Sequence, residues 1–136
     1  MNLATFKLAK ASGGCFHFAE VSVVVETTEA PSSVILSPKV FAWLKDEYGP
    51  DAWDWSVCDE FREGAKCGAE FALHNRKSNN GKHWRIVVVR IQATPADTTR
   101  DSVAFAACFA VWKGIDDEGS NLPYLDGRSI VFPQGQ

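Results

Sequence analysis

From Val103 to Trp112 every residue is apolar (Val-Ala-Phe-Ala-Ala-Cys-Phe-Ala-Val-Trp). A helix with no polar face offers nothing to water, so it has to be enclosed by other elements and not merely laid against them. Thr98 or Thr99 reads as its cap, with Asp101 three residues after Thr98 in a capping-box arrangement. Gly114 reads as its stop.

The segments upstream supply partners for that helix. His17, Ala19, Val21, Val23 and Val25 alternate with Glu20, Ser22 and Glu26, which predicts a half-buried strand over residues 16–28. Val34-Ile35-Leu36 predicts a second, short strand after the Pro31 turn. Ser37-Pro38 reads as the start of a helix carrying Val40, Phe41 and Leu44 and ended by Tyr48-Gly49-Pro50. Trp53, Val57, Phe61, Ala65 and Ala69 recur every four residues, a core stripe for a helix from about residue 51 to 73, in which Gly64 and Gly68 either weaken the helix or permit close packing. After the Asn79-Asn80-Gly81 turn, Ile86-Val87-Val88-Val89 marks a strand over 84–93, β-branched throughout and read as buried on both faces. Residues 1–14 read as a turning entry ending in Ser12-Gly13-Gly14. Residues 115–136 read as a turn-rich tail with an edge strand at Ser129 to Phe132. The order strand, strand, helix, helix, strand, helix predicts one α+β domain over residues 1–136, a two-layer sandwich of a small mixed sheet with helices on one face.

A hydrophobic content of 46% suits one self-sufficient core in 136 residues. No stretch approaches the roughly 20 apolar residues of a membrane helix, and residues 1–10 lack the apolar run of a secretory leader. A cytoplasmic location without membrane contact is therefore expected. The net charge of -3 does not suit a general polyanion binder, but charge is segregated. Asp46, Glu47, Asp51, Asp54, Asp59, Glu60 and Glu63 crowd residues 46–63 and predict an acidic helix face. Arg76, Lys77, Lys82, Arg85 and Arg90 fall in an acid-free stretch, 72–95, and predict a basic patch. There, bases supply phosphate contacts, and Trp84 either stacks on an unpaired base or begins a core strand.

Catalytic machinery is not evident. Cys15, Cys58, Cys67 and Cys108 form no C-x-x-C pair and read as free thiols, and Cys58, Cys67 and His74 fit no zinc spacing. His17 reads as a half-buried, satisfied side chain, and His74 and His83 as loop surface. No nucleophile–histidine order has a signature context. Neighbouring carboxylates such as Asp59 and Glu60 do not face each other on a helix, and Glu60 and Glu63 read as a solvated face. No G-x-x-x-x-G-K-[ST] loop occurs, so a GTPase domain is not expected; no nucleotide and no cofactor are expected either. A non-enzymatic role follows.

Two segments resemble domain IV of the elongation factor G family. Lys10-Ala11-Ser12-Gly13-Gly14-Cys15-Phe16-His17-Phe18-Ala19-Glu20-Val21 is similar to that domain's opening, a Lys-x-Ser/Thr-Gly-Gly loop leading into an aromatic-Ala-x-Val strand. Ile86 to Lys113 resembles its closing strand and Ala-Phe-rich helix, and Asp59 to Gly68 stands for the helix between. The resemblance covers roughly residues 10–114. It implies a ribosomal protein S five domain 2-like sandwich with a left-handed βαβ crossover, against the usual rule. It also implies a protein–RNA contact module whose first tip loop maps onto Lys10, Ser12, Gly13 and Gly14. The sequence departs from the family at the second tip loop, where Ala93 to Thr98 is shorter and lacks a histidine, and in the longer basic loop from Leu73 to Trp84. A standalone domain that binds RNA or the ribosome through Lys10, Ser12, Gly13 and Gly14, helped by Arg76, Lys77, Lys82, Trp84 and Arg85, is the leading expectation. The alternative is a protein-interaction or scaffold module that kept the fold and lost the RNA tip, which the acidic stretch and net charge favour.

Overall fold

The computed structural model describes residues 2–49, 57–78, 81–94 and 96–133. Residues 2–12 are not an irregular entry: they form the first strand, β1 (Asn2–Ser12). It pairs antiparallel with β2 (Cys15–Thr28) along its whole length, from Asn2↔Val25 to Ser12↔Cys15. Ala4, Phe6 and Leu8 do alternate with Thr5, Lys7 and Ala9, but alanines and lysines dilute the apolar rhythm on which a strand assignment depends. The short β3 (Ser33–Leu36) runs parallel to β4 (His83–Gln92), and β4 pairs antiparallel with β2. The result is a mixed sheet of order β1-β2-β4-β3.

Between β3 and β4 come α1 (Ala42–Tyr48) and α2 (Val57–His74); α3 (Arg100–Ile115) follows β4. Helix α3 packs on β1 and β2 and against α2, and α2 approaches β3 and β4. The molecule is thus an α+β two-layer sandwich. Its core joins Ala19, Val21, Val23 and Val25 of β2 with Ile86, Val88 and Ile91 of β4, and with Phe61, Ala65, Ala69, Val103, Ala107 and Val111 of the helices. As its composition requires, α3 is enclosed: from Val103 to Trp112 only Phe109 keeps partial exposure. Among the described residues no helix is long and apolar enough to cross a membrane.

Several local expectations shift, each for a tertiary reason. Ser37 does cap a turn, its Oγ accepting from the Lys39 N–H at 3.1 Å. The helix itself begins only at Ala42, because the Val40 carbonyl is held by the Ile91 N–H at 3.1 Å, which extends the pairing with β4. Thr99 is the N-cap of α3 and its box partner is Ser102, not Asp101. Thr98 is instead buried, its hydroxyl donating to the Phe18 carbonyl at 2.7 Å. Gly114 does not stop α3. Its missing Cβ lets the helix sit on Val25, whose methyls would lie 3.0 Å from that atom, and Asp116 ends the helix in the left-handed conformation (φ 57). The start of the second predicted helix, Trp53 included, lies outside the described residues.

Strand β4 is covered on one face only. Ile86 and Val88 are buried while Val87 and Val89 stay half exposed, since β-branching reports strand preference and not two-sided burial. The tail forms a hairpin, β5 (Tyr124–Asp126) and β6 (Ser129–Val131), separate from the main sheet.

Candidate nucleic-acid interface

The glycine pair forms the two-residue turn between β1 and β2. Gly13 (φ 60) and Gly14 (φ 77) both occupy the left-handed region, which a primed hairpin turn requires at both positions and which glycine adopts without steric cost. Lys10 is exposed near the turn, opposite His17, and Ser12 closes the ladder against Cys15. Asp97, of the second predicted tip loop, lies alongside: the Phe18 N–H donates to its carbonyl at 3.0 Å. The tail hairpin joins them. Arg128 Nε donates to the Gly13 carbonyl at 3.4 Å, and His17 Nε2 lies 3.4 Å from the Gly127 carbonyl oxygen. A Cβ on Gly13 would fall 2.6 Å from Gly127 Cα, so the two turns meet backbone to backbone. A cleft of 360 Å³ lies at this junction, bordered by His17, Asp97, Thr99, Asp101 and Arg128 among others. This tail contact was invisible in the sequence, because it joins segments more than a hundred residues apart.

The structure does not bring the basic loop to this tip. The turn lies at one end of β2, whereas Trp84 and Arg85 face Thr27 and Glu26 near the other. At about 3.4 Å per residue the separation is roughly 40 Å. The basic side chains are also largely engaged. Arg85 pairs with Glu26 at 2.7 Å and Lys77 with Glu118 at 2.8 Å. Arg76 donates to the carbonyls of Leu73 (3.0 Å) and Lys82 (2.9 Å), fastening the end of α2 to the loop. Trp84 packs against the core, which is the core-strand alternative. Lys82 and Arg76 border a cleft of 290 Å³ that Asp116 and Asp117 also line. The sequence reading missed this acidic turn, about forty residues downstream of the bases it meets.

Asp117 organises the loop. Its carboxylate accepts from the N–H groups of Gly119 (2.7 Å), Lys77 (2.9 Å) and Ser78 (3.1 Å). Burial works against its charge, but those three donors and the nearby Arg76 outweigh it and hold its carboxyl below the usual carboxylate range. A depressed folded-state value means that the stabilisation is present above the unfolded value of about 3.9 and is lost as pH falls through the folded value. Asp117→Ala is therefore expected to lose about 1–2 kcal/mol in urea unfolding at neutral pH. The difference from the parent should shrink as the titration is repeated at successively lower pH, through and below the ordinary carboxylate range.

The remaining chemistry-bearing residues stay apart. Cys58, Cys67 and His74 are strung along α2, roughly 13 Å and 10 Å from one to the next at 1.5 Å per residue, too far to share one ion. Burial pushes the Cys58 and Cys108 thiols up. Burial and a hydrogen bond to Glu63 do the same for Cys67. These three are thereby less reactive than an ordinary thiol. The acidic stretch is divided between α1 and α2, where Asp46, Glu47, Asp59, Glu60 and Glu63 are exposed; Asp51 and Asp54 lie outside the described residues.

No protein-family model matches the chain, and no curated protein does. Among solved structures it is similar to the Thermus thermophilus protein ttk003000868, at a TM-score of 0.46 and 18% identity. That similarity covers 83% of this chain and 16% of the other.

Proposed function

We propose that this chain is a non-catalytic, RNA- or ribosome-associated domain that makes its contact with the β1–β2 tip. The observation behind this reading is that the segment resembling domain IV of elongation factor G folds as an exposed two-glycine hairpin turn, with Lys10 beside it and the shortened second loop alongside. Gly127 lies against Gly13, but nothing stands within 4 Å of the missing Cβ of Gly14, so a phosphate can approach the backbone there, and an exposed lysine adds charge to that approach. The basic loop does not share the task, since Lys77 and Arg85 are neutralised in place and lie at the far end of the sheet.

Co-sedimentation with purified ribosomal subunits, run as a salt series, tests the reading. Binding is expected to fall with salt, and Lys10→Ala is expected to weaken it and reduce the salt slope by roughly one. Replacing Lys77 and Arg85 together is expected to leave it unchanged. Salt-independent binding, or binding that needs Lys77 and Arg85 but not Lys10, refutes the tip assignment.

A further inference from the structure

We infer that the open face of the sheet beside the tip is a stacking platform for unpaired RNA bases, built on Phe16 and Phe18. The inference rests on the RNA-associated reading above and gives it a specific surface. In β2 these two side chains alternate with the buried His17 and Ala19, so they stand on the face that carries no helix. Phe16 is 42% exposed, and Phe18 is half-buried with Lys7 Nζ 5.8 Å from its ring centroid.

No large apolar side chain covers either ring, and over that of Phe18 stands only the long, flexible side chain of Lys7. Across the strand pair stand Ala11 and Ala9, too small to cover a phenyl ring. On the other side the ladder with β4 stops at Glu20↔Gln92, so no β4 side chain stands beside Phe18 or Phe16. Core packing does not account for two phenylalanines on water-facing positions opposite alanines. Their spacing suits a single strand: residues two apart on one face lie roughly 7 Å from each other, and successive bases stack on such aromatics with little regard to sequence.

The charges nearby are of the complementary sign for phosphate. Lys7 lies over the ring of Phe18, and Arg90, opposite Ser22, follows on the same face. Arg90 has no ion-pair partner among the described residues. Against them stands Glu20. Among the described residues it is the one acid on the open face of β1, β2 and β4 that no arginine neutralises, Glu26 being paired with Arg85.

The test is fluorescence anisotropy with a labelled single-stranded RNA of roughly 10 nucleotides and with the matching duplex. The parent is expected to prefer the single strand. Phe16→Ala and Phe18→Ala are each expected to weaken binding about tenfold. Phe18→Leu, which keeps an apolar side chain but no ring, should lose a similar factor. Lys7→Gln should reduce the slope of log affinity against log salt by roughly 0.7. Circular dichroism of each variant confirms that the sheet is intact. Unchanged affinity in the two alanine variants, together with loss in Lys10→Ala, overturns the platform and leaves the tip reading standing. A preference for duplex also overturns the platform. No binding of either RNA by the parent overturns the platform, and absence of ribosome co-sedimentation as well removes the tip reading with it.

Discussion

Gly68→Ala is expected to destabilise the domain by about 3 kcal/mol, the upper part of the range for forcing extra volume into a packed interior. Helix propensity alone predicts the opposite sign, since alanine in a helix interior is favoured over glycine by about 1 kcal/mol. The packing decides. A Cβ at Gly68 would run into the carbonyl oxygen of Ala104, with that residue's C and Cα at 2.7 Å. One turn earlier, a Cβ at Gly64 would meet the carbonyl of Arg100. These obstacles are main chain of α3, which cannot rotate aside as a side chain does. Nor can α3 retreat as a body, because its far side rests on β1 and β2, with Gly114 against Val25. Substituting both glycines should leave no cooperative transition in urea, since two such losses approach the whole stability of a small domain, about 5–15 kcal/mol. A gain in stability for Gly68→Ala would show that the two helices do not meet backbone to backbone.

Trp112→Ala is expected to cost about 4 kcal/mol, within the range for emptying a buried aromatic site. Trp112 is 2% exposed, and its ring meets Phe109 edge-on with centroids 5.3 Å apart. Its indole N–H donates to the Ala72 carbonyl at 2.9 Å, in the last turn of α2, where no later helical N–H is present to do so. Gly119, in the left-handed region, lies so close over the ring that a Cβ there would sit 2.5 Å from it. One side chain therefore joins α3, the end of α2 and the start of the tail. Trp112→Phe keeps most of the apolar contact but leaves the Ala72 carbonyl unpaired, so about 2 kcal/mol is expected. Thermal melts of the two variants should rank in that order, and a loss in Trp112→Phe as large as in Trp112→Ala would assign the effect to the hydrogen bond alone.

How much of this was readable follows from the range of each interaction. The enclosed helix was readable because an all-apolar surface excludes exposure whatever the partner. The strand from Phe16 to Thr28 was readable because its alternation is strong, and β1 was not because its alternation is weak. The N-cap of α3 was narrowed to two adjacent threonines, and only the Phe18 carbonyl, eighty residues upstream of Thr98, assigns Thr98 to the sheet and leaves Thr99 as the cap. The pairing of the basic loop was unreadable for the same reason. A run of charge is local information, whereas Asp117 and Glu118, which occupy it, arrive from a distant segment. Phe16 and Phe18 were readable as sharing a face with Glu20 and Ser22, but that this face stays without a helix layer is a property of the assembled sheet.

The bonds from Arg128 to Gly13 and from His17 to Gly127 join positions 115 and 110 residues apart. During translation the first hairpin leaves the exit tunnel long before its clasp has been made. At about 5–20 residues per second the interval is on the order of 10 s. Over that interval Gly13 stands bare, and only after the tail has emerged does Gly127 close against it, while Gly14 stays open.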